Sequence, residues 1–257
     1  MLERQRREAI LRLVDLYEIV SIHDVGEATG ASESTLRRDF VALEQERLVR
    51  RVRGGIQRDG ADREDSPTPS GRAPFDLRAT VNTEKKRRIA RRACGLITDG
   101  DTIFIDGGTT TYQMVEYLSA LAITVITNSF AIASALVDGT PTVIIPEGQI
   151  DPASRLILTT IDPDPFGNYA ASRAFMGIEG VSAAGLTNSD SRVIQAERSM
   201  IRHASELIVV ADGSKFGRRG HLALCPIEAV ATVITTTDAD GEIVDSLRDR
   251  SVSVLQV

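Results

Sequence analysis

The residues best suited to chemistry lie in a few short stretches. Asp106-Gly107-Gly108-Thr109-Thr110-Thr111 joins two glycines, which let a backbone come close to an anion, to hydroxyls able to donate to phosphate oxygens. Thr127-Asn128-Ser129 adds an amide and further hydroxyls. Asp212-Gly213-Ser214-Lys215-Phe216-Gly217 sets a lysine on a glycine-flanked loop, where it can pair with a phosphate or an ionised sugar oxygen, and Glu197 can accept from sugar hydroxyls. A different chemistry belongs to Ser32-Glu33-Ser34-Thr35-Leu36-Arg37-Arg38-Asp39-Phe40. At helical spacing Leu36, Phe40 and Leu43 share one face, which leaves Ser34, Thr35, Arg37, Arg38 and Val41 to meet bases and phosphates. Each stretch also has a plain structural alternative: a solvated helix, an ordinary strand-to-helix turn, a solvated lysine, a helix-start carboxylate.

The anion-type loops need a sheet to hold them, and the sequence around them predicts one. Thr102 to Ile105 reads as a short buried strand, Tyr112 to Leu118 as helix, Ile123 to Ile126 as strand, Ala131 to Val137 as helix and Thr142 to Ile145 as strand. Farther on, Ala174 to Gly177 is strand-like, Glu197 to Ser205 helical and Leu207 to Val210 a strand. Apolar strands separated by helices imply a parallel sheet covered on both faces, with ligands bound beyond the carboxyl ends of its strands. The loops at 106–111 and 127–129 both follow a strand directly.

The arginine-bearing helix needs a different scaffold. A first helix is predicted from about Glu3 to Tyr17, with Ile10, Leu13, Val14 and Tyr17 on one face. Ser21 and Asp24 resemble a capping box opening a short second helix that carries Val25 and Ala28, with Gly26 inside it at a cost of about 1 kcal/mol. Thr29-Gly30-Ala31 is the turn, and Ser32 is expected to cap the next helix, Glu33 to about Glu46, by accepting from its first-turn amides. Leu48 to Gln57 then mixes β-branched residues and Arg50, Arg51 and Arg53 with a Gly-Gly signal, a candidate hairpin wing whose arginines reach phosphate or a minor groove. Two short helices across a tight turn, the second polar and basic, followed by such a hairpin, form a winged helix-turn-helix pattern.

The charge distribution agrees. The chain of 257 residues carries a net charge of −6, yet between Ser34 and Arg58 the bases Arg37, Arg38, Arg47, Arg50, Arg51, Arg53 and Arg58 face only Asp39, Glu44 and Glu46. A basic patch on an acidic body confines phosphate binding to one face. Several function classes are excluded as expectations. Cys94 and Cys225 lie in no CxxC or Cys/His spacing, and His23, His203 and His221 are scattered, so neither a metal nor a cofactor is expected. With no apolar run of membrane length and no signal-peptide core, the chain is placed in the cytoplasm, without a membrane partner.

The apolar pattern lapses over 59–80, where Ser66-Pro67-Thr68-Pro69-Ser70-Gly71 is too polar and Pro-rich to pack, so the expected division is a DNA-binding domain at 3–58, a linker at 59–80 and a second domain at 81–257. Lys85, Lys86, Arg87, Arg88, Arg91 and Arg92 crowd the helix that opens the second domain, and a solvated face above Ile89, Ala93, Leu96 and Ile97 is the expectation there, with a second DNA contact as the alternative.

Taken together, Ser32 to Phe40 and Leu48-Val49-Arg50-Arg51-Val52-Arg53-Gly54-Gly55 resemble the signature of the DeoR family of bacterial transcriptional regulators, although Arg53 stands where that family usually has histidine. The resemblance continues through Asp106 to Thr110, Thr127-Asn128-Ser129, Gly185-Leu186-Thr187 and Asp212 to Gly217. It implies an α/β protein: a winged helix-turn-helix followed by a sensor domain similar in fold to ribose-5-phosphate isomerase, with a mainly parallel sheet. On that reading Ser34, Thr35, Arg37, Arg38, Arg50, Arg51 and Arg53 meet double-stranded operator DNA. Asp106, Gly107, Gly108, Thr109, Thr110, Thr111, Asn128, Ser129, Glu197 and Lys215 bind a phosphorylated sugar or sugar-acid effector.

Two functions follow. The first is a regulator, most simply a repressor of a carbohydrate-catabolism operon acting as a homodimer or homotetramer and released by its effector. The alternative is a sugar-phosphate isomerase with a DNA-binding appendage, since Glu197 and Lys215 fall where that enzyme keeps reactive groups. Against it, Met176-Gly177-Ile178-Glu179-Gly180 replaces the isomerase's acidic Asp-Gly-Ala-Asp-Glu turn and its Lys-Gly-Gly-Gly run is missing, so no catalytic residue is expected.

Overall fold

The computed structural model describes residues 2–17, 19–20, 22–52, 55–59, 75–159 and 164–257. The chain divides into two compact units, Met1–Asn82 and Thr83–Val257.

In the first unit, helices α1 (Glu3–Tyr17), α2 (Ile22–Thr29) and α3 (Glu33–Gln45) surround a core of Ile10, Leu13, Val14, Val25, Leu36, Phe40 and Leu43. The helical spacing of those residues puts each on the inner face of its helix. Gly30 makes the turn at φ +66°, a left-handed conformation that favours glycine. Gly26 lies where α2 crosses α3, so that a Cβ on it would meet Leu36 Cδ1 at 3.7 Å. Strands β2 (Val49–Val52) and β3 (Gly55–Arg58) form the antiparallel wing, paired from Val49 with Arg58 to Val52 with Gly55. A strand absent from the sequence expectation, β1 (Ile19–Val20), pairs with the far side of β3 and buries Val20. The capping serine Ser21, the wing turn at Arg53 and Gly54, and the Pro-rich stretch at 66–71 lie outside the described residues. Within the stretch expected as linker, a short helix α4 (Phe75–Ala79) buries Phe75, and Val81, expected to open the second domain, packs on the first unit's core.

The second unit opens with α5 (Thr83–Cys94) and then alternates: β4 (Thr102–Ile105), α6 (Thr109–Tyr112), α7 (Val115–Leu118), β5 (Thr124–Thr127), α8 (Phe130–Leu136) and β6 (Thr142–Ile144). The helix expected from Tyr112 to Leu118 is thus two short helices, the first starting at Thr109. A hairpin of β7 (Gln149–Asp151) and β8 (Leu156–Leu158) follows, then β9 (Ala171–Met176) and the strands β10 (Gly180–Ser182) and β11 (Gly185–Asn188). Helix α9 (Ser191–Arg202) leads into β12 (Ala204–Val210), and β13 (Leu222–Cys225), β14 (Thr232–Thr235), α10 (Gly241–Asp249) and β15 (Ser253–Gln256) complete the unit. Helix α9 begins six residues before its expected start at Glu197, because Asp190 caps it by accepting from Arg192 N.

One sheet of seven strands, all parallel, runs β15-β14-β12-β9-β4-β5-β6. Its strands read as continuous apolar runs because both faces are covered. Alternate residues divide between two cores: Phe104, Met176 and Val209 on one face, Ile103, Ile105, Phe175 and Val210 on the other. From β4 the chain builds outward to β6, then returns to the other side of β4 and builds outward again from β9 to β15. The strand order therefore reverses between β4 and β9, and a crevice at the carboxyl ends of these two strands is where such sheets take ligands.

Candidate functional site

On the first unit, α3 presents Ser34, Arg37 and Arg38 to solvent with Thr35 half-buried beside them, while Leu36, Asp39, Phe40 and Leu43 are buried. The Arg37 guanidinium pairs with Glu33 one turn earlier at 2.5 Å, and Val41 is 38% exposed. Ser32 is the N-cap residue but makes no capping bond with its side chain; its hydroxyl instead meets Ser34 Oγ at 3.1 Å and Thr35 Oγ1 at 2.9 Å. Arg50 and Arg51 are exposed on β2, Arg51 reaching Glu44 of α3 at 3.1 Å, and Arg53 lies outside the described residues.

A residue that sequence reasoning treated only as a counter-charge orients this surface. Asp39, 3% exposed, takes Arg6 Nε at 2.5 Å and Arg6 Nη2 at 3.2 Å, with Arg7 Nε at 3.7 Å, which ties α3 to α1. A buried carboxylate needs such partners. The available signal was its place beside the Leu36, Phe40, Leu43 stripe.

On the second unit a closed circuit of contacts runs around the carboxyl ends of β4, β5 and β9. Gly107 N donates to Asn128 Oδ1 at 3.1 Å, and the Asn128 carbonyl accepts from Ile157 N of β8 at 2.7 Å. Leu156 pairs across the hairpin with Asp151, which receives Arg192 Nη1 from α9 at 3.5 Å. Arg192 also holds Asp190 at 2.9 and 3.0 Å, and next to it Ser189 donates to Glu179 Oε1 at 2.8 Å. Glu179 belongs to the loop after β9, where Gly177 returns to Gly108: a Cβ on either would lie 3.7 Å from the other's Cα. The hairpin thereby covers the ends of β4 and β5. Leu156 fills the space above Gly107, coming within 1.9 Å of where a Cβ would stand. Arg155, at φ +56°, donates its N to the Asp151 carbonyl and accepts from Phe130 N. The Ser154 hydroxyl, assisted by its amide and by Arg192, holds the Asp151 carboxyl below the ordinary range.

This geometry alters the expected roles. The amides of Gly107 and Gly108 are spent inside the protein, on Asn128 Oδ1 and, at 2.8 Å, on Thr111 Oγ1. The glycines are needed for close approach of backbone and wall rather than as anion donors. The Thr111 hydroxyl donates to the Gly108 carbonyl, and the Ser129 hydroxyl caps α8 by accepting from Ile132 N. Donors left without a described hydrogen bond are the hydroxyls of Thr109 and Thr110, 6% and 7% exposed, and Asn128 Nδ2 on a fully buried side chain.

Lys215 sits half-buried on a 3-10 turn, Gly213–Lys215, at the end of β12, whose Asp212 caps it by accepting from Ser214 N. Glu197 is not at a helix start. It lies in the middle of α9, 1% exposed, with Oε1 accepting from Asn188 Nδ2 at 2.5 Å. Burial, and then the charge of Glu197, push the Cys225 thiol up to about 11, and Asn188, the donor to Glu197, ends strand β11 of the small sheet β10-β11-β13. Lys86, expected on a solvated face, is 5% exposed, because it shares the buried stripe of Ile89, Ala90 and Ala93; Arg87, Arg88, Arg91 and Arg92 do face solvent. A groove of about 530 Å³ opens beside the β7-β8 hairpin, lined by Tyr112, Phe130, Ser134, Ile150 and Arg155 but by none of the candidate effector residues.

Comparison with known proteins bears on both units. The DeoR-like helix-turn-helix domain matches residues 6–60, and the DeoR C terminal sensor domain matches residues 81–237. The chain belongs to the DeoR family. Over the full length of both proteins, this DeoR-family chain is 29% identical to the HTH-type transcriptional regulator UlaR of Escherichia coli strain K12 / DH10B, and equally to that of Shigella boydii serotype 18. Among solved structures it is similar to ribose 5-phosphate isomerase A of Methanocaldococcus jannaschii, 20% identical with a TM-score of 0.40 over 52% of this chain and 55% of that one. The Pyrococcus horikoshii OT3 translation initiation factor eIF-2B is 16% identical, with a TM-score of 0.47 over 89% of this chain and 94% of that one. The DeoR-family chain is a DNA-binding transcriptional regulator with a carboxyl-terminal sensor domain. Among its described residues no helix is long and apolar enough to cross a membrane, and no group of three or more His, Cys, Asp or Glu is placed to hold a metal ion.

Proposed function

We propose that this regulator represses a carbohydrate-catabolism operon and is released from its operator by a phosphorylated sugar or sugar acid, which it binds without transforming. Ser34, Thr35, Arg37, Arg38, Arg50 and Arg51 are its operator-contacting residues. Thr109, Thr110 and Asn128 hold the phosphate, with Lys215 at the end of β12, on the far side of β9. The observation that carries the effector reading is the Asn128 amide: a fully buried donor without a described partner, at the end of β5, one strand from the point where strand order reverses. A buried donor left unmet costs about 1–3 kcal/mol, and an anion's oxygen relieves that cost.

One recognition helix per chain contacts one half-site, so useful affinity requires a homodimer or homotetramer spanning half-sites about 34 Å apart. The effector then acts by favouring the arrangement in which those helices are misplaced, to the extent of its differential affinity for it. A thermal-shift panel of phosphorylated sugars and sugar acids, followed by gel shift with operator DNA, tests the reading. At least one compound should raise the melting temperature and release the DNA. A panel in which no phosphorylated compound does either would sink it, and measurable isomerisation of a bound compound would replace it with the enzyme reading.

A further inference from the structure

We propose that the exposed face of α5 is a second contact for duplex DNA, which grips backbone phosphates beyond those met by the helix-turn-helix and its wing. The inference depends on DNA binding by the first unit and not on the effector reading. Helix α5 carries Lys85, Lys86, Arg87, Arg88, Arg91 and Arg92 against a single acid, Glu84. Lys86 is buried and Lys85 is drawn to Asp238 at 3.0 Å, so the outer face belongs to the four arginines. Spaced three and four apart, they form one ridge over successive turns, with neighbouring Cβ atoms about 6 Å apart.

Much of the charge on this ridge is unmet. Arg87 pairs with Glu84 at 3.0 Å and Arg88 Nη2 donates to the Val257 carbonyl at 2.7 Å, while Arg91 and Arg92 make no ion pair among the described residues. Like charges at this spacing repel by about 0.2–0.5 kcal/mol per pair. The helix dipole favours cations in the last turn, which accounts for Arg91 and Arg92 but not for Arg87 and Arg88 a turn earlier. A polyanion relieves the repulsion along the whole ridge, and each guanidinium fork matches a phosphate with two parallel donors. The chain as a whole carries a net charge of −6, so a basic ridge marks one place where an anion is welcome. The anion is the duplex because the same chain already holds one. Helix α5 starts at Thr83, directly after Asn82 closes the first unit, and a tethered second contact adds affinity through its high effective concentration.

The test is fluorescence anisotropy of the full chain on two labelled duplexes, one selected by the wild type from a random-sequence pool and one a scramble of it, from about 50 to 200 mM salt. Wild type is compared with the pair Arg87→Gln and Arg91→Gln, since glutamine keeps helix propensity, and with the same two positions changed to Lys. Circular dichroism checks folding, and sedimentation checks assembly. The Gln pair should flatten the slope of log affinity against log salt by about 1.8 and weaken both duplexes alike, by at least about fivefold, because phosphate contacts carry no sequence information. The Lys pair should stay within about twofold of wild type. An unchanged slope and affinity for the Gln pair would leave the ridge a solvated face and overturn the proposal. A Lys pair as impaired as the Gln pair would overturn it too, by tracing the loss to something other than charge. A Gln pair that sediments as a smaller assembly than wild type would give the ridge to a second copy of the chain instead.

Discussion

Gly108 and Gly177 stand backbone to backbone across the point where the strand order reverses, each placed so that a Cβ would lie 3.7 Å from the other's Cα. That distance is ordinary contact, and Gly177→Ala should change stability by less than about 0.5 kcal/mol. Gly107→Ala should differ, since its Cβ falls 1.9 Å from Leu156 Cδ2 and must push the wall aside. Overpacking of this kind costs about 1–3 kcal/mol. Urea unfolding of both variants measures the contrast, and equal midpoints would refute the assignment of Leu156 as the wall above Gly107.

Asp39 is too buried to touch a duplex, yet Asp39→Ala should weaken operator binding and lower the melting temperature of the first unit, because Arg6 and Arg7 lose the carboxylate that orients α3. Gel shift and differential scanning calorimetry read the two effects. Retained affinity with a lowered melting temperature would confine Asp39 to stability alone.

Arg38→Ala and Arg51→Ala should each flatten the dependence of log affinity on log salt by about 0.9 for the phosphate contact removed. Glu44→Gln should tighten binding, because Arg51 is then no longer drawn to Glu44 at 3.1 Å. Identical salt slopes for wild type and Arg51→Ala would take the wing strand out of the interface.

Asp164 brings a pH dependence to the second unit. The Ser199 hydroxyl first, then His203 and Arg202, hold its carboxyl at about 2 against an ordinary 3.8. A carboxyl depressed on folding adds stability that is fully present above about pH 4 and is lost as pH falls towards 2. The side chain is 39% exposed, so the contribution is a screened, modest one. Asp164→Asn should lose stability at pH 7 and show a flatter acid limb in denaturant midpoints taken from pH 5 to 2. An unchanged limb would mean that Asp164 does not contribute to it.

What the sequence determined by itself is local. Helical spacing of Ile10, Leu13, Leu36, Phe40 and Leu43 decides which faces of α1 and α3 are buried and leaves Arg37 and Arg38 outside. Unbroken runs such as Thr102 to Ile105 announce strands covered on both sides. Such patterns are legible because a side chain's direction follows from its place in a helix or strand. Tertiary structure alone decided which loops meet. Arg6 and Asp39 are 33 residues apart, and Arg192 and Asp151 are 41 apart. The wall hairpin is two three-residue strands with no strong period of its own, and whether Asn128, Glu197 or Lys86 is buried depends on neighbours brought from elsewhere in the chain. The distinction is physical: periodicity records how one element meets its surroundings, whereas a binding crevice is made of ends of elements, and which ends adjoin is set by the order in which the strands pack.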